Sequence, residues 1–112
     1  MQAGEVRVYR GTTTWEAALL EDIEGNADSG WFFVGGVFPI GFSITGVMGD
    51  TVQLRGSLAR DEPLPSDDGE PLHADITANR LGVIELPVKW LKAKVVWGSG
   101  SVTVRGYGYY RI

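Results

Sequence analysis

The side chains in this sequence that could do chemistry are few and scattered. His73 is the only histidine, so any Ser-His-Asp or Cys-His unit would have to be assembled around it. Its setting, Leu72-His73-Ala74-Asp75-Ile76, reads as a plain alternating strand, which predicts a structural or surface role. A nucleophile elbow needs glycines two residues to either side of the serine. Gly41-Phe42-Ser43-Ile44-Thr45 lacks the second of these, and Gly98-Ser99-Gly100 is too short to be one. Gly106-Tyr107-Gly108 lacks the third glycine and the following helix that would cradle a dinucleotide phosphate. Asp67, Asp68 and Glu70 around Gly69 offer hard oxygens of the kind calcium takes, but not the alternating acids and distal Glu of an EF-hand, so a solvated acidic loop is expected. A carboxylate pair flanking a sugar could come from any two loops, and spacing along the chain does not identify one. With no cysteine, thiol catalysis, Cys-ligated zinc and disulfides all fall away. The expectation is a protein with no catalytic residues, no metal and no cofactor.

The aromatic residues carry more information. Four Trp, four Tyr and four Phe in 112 residues exceed what one two-layer core readily absorbs, and aromatics left over in this way are typical interface anchors. The surplus concentrates in two places. Trp31-Phe32-Phe33-Val34 puts bulky groups on both faces of a strand, so it is either a central strand or a strand with one face against another chain. Tyr107, Tyr109 and Tyr110 cluster near the C-terminal end. Trp31, Phe33, Tyr107, Tyr109 and Tyr110 are therefore the candidate interface residues, with contact area expected from Trp31–Val34 and from the tail Tyr107 to Ile112.

The elements that must position these groups are strands. Leu91, Ala93, Val95 and Trp97 share one parity while Lys92 and Lys94 share the other, and Val102 and Val104 alternate with Thr103 and Arg105. This predicts a buried face and a wet face, with Lys92 and Lys94 in water and Trp97 in the core. Gly98-Ser99-Gly100-Ser101 reads as the loop of a β-hairpin. Ile40, Phe42 and Ile44, then Val52 and Leu54, repeat the alternation, with Gly46 to Asp50 as a second hairpin loop. Short strands are also expected at Glu5 to Arg10, Leu72 to Ala78 and Val83 to Leu86, with a turn at 79–82 and a break at Pro87. Trp15 to Ile23 fits either helical or strand spacing, and the Thr-rich, β-like surroundings favour a strand. Glu24 to Gly30 is a polar loop. Arg60 to Pro71 holds three prolines among acidic residues and reads as a long exposed loop. The sum is an all-β, single-domain antiparallel β-sandwich spanning 1–112, Ig-like or jelly-roll-like, with seven to nine strands around Phe42, Ile44, Val52, Leu54, Leu91, Val95, Val102 and Val104.

Bulk properties narrow the partners. Ten basic against fourteen acidic residues give 10 − 14 = −4, which disfavours a phosphate backbone as partner. Met1-Gln2-Ala3-Gly4-Glu5 lacks a basic start followed by an apolar run, and no stretch of about 18 apolar residues occurs, so neither a signal peptide nor a membrane span is expected.

From Phe38 to Val104 the order of segments resembles small tailed-phage virion proteins. The residues that carry the resemblance are Asp50-Thr51-Val52-Gln53-Leu54-Arg55-Gly56-Ser57, the acidic loop, Lys92-Ala93-Lys94-Val95, and Ser99-Gly100-Ser101-Val102-Thr103-Val104. Lys92 stands where many of those proteins have Arg, which keeps the charge and loses the guanidinium fork. The resemblance implies a virion structural component at the capsid surface. It would be a decoration or cement protein, less readily a head–tail or tail part, working as a homo-oligomer (a trimer is favoured) against the major capsid protein. It brings no catalytic residues. Two other classes are open. A carbohydrate-binding module would show a coplanar strip of exposed aromatics, and a small hydrolase would place His73 in a cleft beside a nucleophile or carboxylate.

Overall fold

A computed structural model describes residues 6–7 and 14–110, and its ordered segments are all strands. Along the chain these are β1 (Val6–Arg7), β2 (Thr14–Ile23), β3 (Ala27–Asp28), β4 (Phe32–Phe33), β5 (Val37–Thr45), β6 (Thr51–Ser57), β7 (Glu70–Pro71), β8 (Arg80–Ile84), β9 (Trp90–Val96) and β10 (Val102–Tyr110). They form two antiparallel sheets packed as a sandwich. The first runs β1-β2-β10-β5-β8, and the second runs β3-β9-β6-β7 with β4 also on β9. The expected strand at Trp15 to Ile23 is β2. Of the expected strand Glu5 to Arg10, all but β1 lies outside the described residues, as do Arg111 and Ile112.

The core is where the alternation places it. Phe42, Ile44, Val52, Leu54, Leu91, Val95, Val102 and Val104 are all buried, joined by Trp15, Leu19, Val34, Val37, Ile40 and Ile84. Each such side chain contributes roughly 1.5–3 kcal/mol by leaving water. Trp15 fits because Gly106 on the neighbouring strand β10 has no side chain, and the indole ring occupies the place where a Cβ would stand.

Both expected hairpins are instead crossings between sheets. β5 lies in the first sheet and β6 in the second, and β9 lies in the second and β10 in the first. Alternation alone does not distinguish a chain that turns back beside itself from one that arches over the core, because both keep the same residues inward. The two arches are laced together, with Ser101 N donating to Gly46 O at 3.0 Å and Ser99 N to Met48 O at 2.9 Å. Their centre is Asp50, whose buried carboxylate accepts the amides of Met48 (2.7 Å), Gly98 and Gly100 (3.1 Å). The Met48 amide, ahead of those of Gly98 and Gly100, holds the Asp50 carboxyl below its ordinary range against the opposing pull of burial. Gly46 is required here twice over. Its φ of 76° lies in the left-handed region, and a Cβ would collide with the Ser101 carbonyl.

Three further expectations are corrected, and one of two alternatives is set aside. Trp97 falls just past the end of β9, so strand parity no longer directs it inward. It is 44% exposed, its indole bonded to Gly100 O. Leu72 to Ala78 is not a strand, because the chain bends through 72–74: Leu72 N donates to Leu54 O, and Ile76 forms an isolated bridge to Val52. Residues 80–82 of the turn expected at 79–82 are the start of β8, since Gly82 serves packing: the Phe42 ring fills the space its side chain would take. Trp31 to Val34 is not a central strand, for only Phe32 and Phe33 pair, at the margin of β9.

Candidate functional site

The outer face of the second sheet is built around Lys92. Parity on β9 points it away from the core, as expected, yet it is fully buried, and the expectation of a solvated Lys92 fails. The segment after β6 folds back over the sheet instead of standing free. Lys92 Nζ donates to Pro65 O and Asp67 O, both at 2.9 Å, and pairs with Asp28 Oδ2 at 3.1 Å. The same ammonium sits 4.7 Å from the centroid of the Trp31 ring. Trp31 Nε1 donates to Leu64 O at 3.2 Å and Trp90 Nε1 to Ala59 O at 3.0 Å. Carbonyls between Ala59 and Asp67 thus find side-chain donors on the sheet and beside it, which a segment without regular structure of its own requires. Lys94 adds an ion pair to Asp68 at 2.7 Å. That bonded ammonium holds the Asp68 carboxyl below its ordinary range, against desolvation. The loop at 60–71 is largely exposed as expected, but it is latched, and Pro63 is buried beneath it.

The five candidate interface residues do not form one surface. Trp31 is half-buried in the latch, and Tyr110 points inward and packs on the core. Phe33 is 58% exposed on the outer side of the second sheet, edge-on to Trp90 with centroids 5.1 Å apart. Tyr107 and Tyr109 are exposed on the outer face of the first sheet. The Tyr107 ring lies over Gly41, and with Thr14 and Glu16 the two tyrosines border a shallow hollow of about 310 Å³. Three exposed aromatics therefore divide between opposite sheets. Sequence reasoning missed Leu81 and Val83, exposed on β8 beside this tyrosine face. Reading residues 79–82 as a turn hid Leu81, and Val83 was placed at the start of a strand without its outward face being recognised. It also missed a groove of about 500 Å³ walled by Leu58, Leu72, Leu86, Pro87 and Val88 over Gly56.

The residues that could do chemistry stay apart. The His73 ring packs edge-on against Phe42 at 5.7 Å, with Nδ1 2.8 Å from Ala74 O. Ser99 Oγ donates to Met48 O at 2.9 Å. Asp67 Oδ1 accepts the Gly69 amide at 2.8 Å while Asp68 holds Lys94. Among the described residues, no group of three or more His, Asp or Glu is placed to hold a metal ion.

No protein-family model matches the chain, and no curated protein matches it in sequence. Its fold is similar to that in the crystal structure of the SPBc2 prophage-derived protein YomS. The TM-score is 0.67 at 14% sequence identity, and the match covers 91% of this chain and 97% of the other.

Proposed function

We propose that this chain is a non-enzymatic structural protein of a tailed-phage virion. In this reading it is a capsid decoration or cement protein that sits as a homo-oligomer, a trimer, on the outside of the major capsid protein shell. The observation that carries the reading is the likeness of fold, over nearly the whole of both chains, to a prophage-derived protein. The surface supports it physically. Apolar aromatics stand on both outer faces, Tyr107 and Tyr109 on one and Phe33 on the other. A head-to-tail contact that sets one face of a copy against the other face of the next uses both, and closes into a ring when the rotation allows. Aromatic side chains supply large contact area for few rotatable bonds, which suits repeated contacts that need no chemistry. Neither nucleic acid nor a membrane is among the proposed partners.

The test is co-sedimentation of the purified chain with capsids that lack it. Saturable binding, weakened when Tyr107 and Tyr109 are replaced by Ser, supports the proposal. Binding to tail or neck structures alone would move the site within the virion. A monomer without capsid affinity that binds a glycan array through those tyrosines would replace it with the carbohydrate-binding reading, for which the hollow beside Glu16 is the attachment point.

A further inference from the structure

The first sheet ends in an edge that lacks the usual protection. Unpaired strand edges are ordinarily blunted by proline, inward charge, bulges or brevity. In the second sheet, β7 is two residues long and contains Pro71, and β3 and β4 are also two-residue pieces. β8 is five residues long without proline. It pairs with β5 on one side and, among the described residues, with no strand on the other. Its outward side chains are Leu81, 76% exposed, and Val83, 52% exposed.

We infer that β8 pairs antiparallel with β8 of a second copy, across a two-fold axis at Gly82, joining two five-stranded sheets into one. The sequence of the strand is complementary to itself in this register. Leu81 stands opposite Val83 of the second copy, and Val83 opposite its Leu81, so both outward cross-strand pairs are apolar. At the axis Gly82 faces Gly82, and no side chain obstructs the approach because the Phe42 ring already fills the inner side. At each end of the ladder Arg80 comes opposite Ile84 of the second copy, so no like charges face one another across the joint. The apolar strip continues across the joint, since Val83 and Tyr107 both flank Gly41 in register and the Tyr107 ring lies over that glycine.

A ladder of five residues falls short of the roughly 1,000 Å² that a permanent contact needs. The free protein therefore associates this way only as its concentration rises. On a capsid, neighbouring copies raise the effective concentration, and a two-fold contact between trimers links them into a continuous layer. That use rests on the virion reading above, whereas the pairing itself does not.

The experiment is sedimentation velocity from low micromolar to millimolar protein. It compares wild type with two double variants, Leu81→Lys with Val83→Lys and Leu81→Glu with Val83→Glu. All four substitutions are at exposed sites, and circular dichroism checks the fold. Wild type should self-associate, and each variant should do so about tenfold or more weakly, because like charges then stand opposite one another. An equimolar mixture of the two variants should regain association, because Lys then faces Glu. Monomeric wild type, association unchanged in the variants, or a mixture no stronger than its components would overturn the pairing. Capsid co-sedimentation of the same proteins separates the two ideas. Capsid binding without β8 association removes only the pairing, and β8 association without capsid binding removes only the virion reading.

Discussion

Replacing Lys92 by Met tests how the outer face of the second sheet is held. Methionine matches the stem of the lysine and keeps its packing, but it removes two charge-assisted hydrogen bonds to Pro65 and Asp67, an ion pair with Asp28 and the contact with Trp31. Hydrogen bonds to a charged donor contribute about 1.5–3 kcal/mol each. The Asp28 partner is 37% exposed, and its share is discounted for solvent screening. Against this, a buried ammonium costs several kcal/mol to desolvate, and swapping an ion pair for an apolar group is sometimes neutral. The balance here falls on the side of destabilisation, because the orphaned partners are backbone carbonyls of a loop that Met leaves without a donor. The expected loss is about 2–4 kcal/mol. With a urea slope of about 1–2 kcal/mol/M, the unfolding midpoint falls by roughly 1–4 M. Fluorescence of Trp31 and Trp90 reports the transition, since both indoles bond to the loop. Trypsin should also cut after Arg60 faster in the variant. An unchanged midpoint together with an equally resistant Arg60 would refute the latch.

Truncating Leu54 or Val95 to Ala should cost on the order of 2–4 kcal/mol in chemical denaturation, since both side chains lie in the core. His73→Ala should lower stability by no more than about 1 kcal/mol, the worth of its edge contact with Phe42, and leave oligomerisation and capsid binding intact; loss of any hydrolytic activity with this change alone would reverse the non-enzyme reading. The Asp50 and Asp68 carboxyls are held below their ordinary range, so their contribution is full above the unfolded value near 3.9 and is lost as pH falls through the lower folded values. Urea midpoints measured from pH 7 down to pH 2 should therefore drop below about pH 4 in wild type, and less steeply in Asp50→Asn.

The inward residues of the long strands were legible in the sequence because side chains alternate with period two wherever one face is buried. Their connections were not. Phe42 and Leu54 keep the same inward parity whether the residues between them form a hairpin or an arch, and the feature that selects the arch, the Asp50 carboxylate capturing amides near residue 100, joins positions far apart in sequence. Lys92 was misread for a related reason. Parity correctly turned it from the core, but nothing local says that a Pro-rich segment some 25 residues earlier returns to cover it. Of the aromatic surplus, Phe33, Tyr107 and Tyr109 are exposed, while Trp31 is taken up by the latch and Tyr110 by the core. Composition counts aromatics without placing them. Gly82 looked like a turn residue and is a packing residue, which concealed the apolar edge of β8.

The claim that this chain is a virion structural protein is tested most directly on particles released from the cell that carries its gene. Purified particles would be imaged by cryo-electron microscopy, with their proteins identified by mass spectrometry. A virion structural protein should be present in many copies per particle and give sandwich-shaped density on the outside of the capsid, with the tyrosine face of the first sheet in contact with neighbouring protein. Particles of full infectivity that contain none of the chain would contradict it.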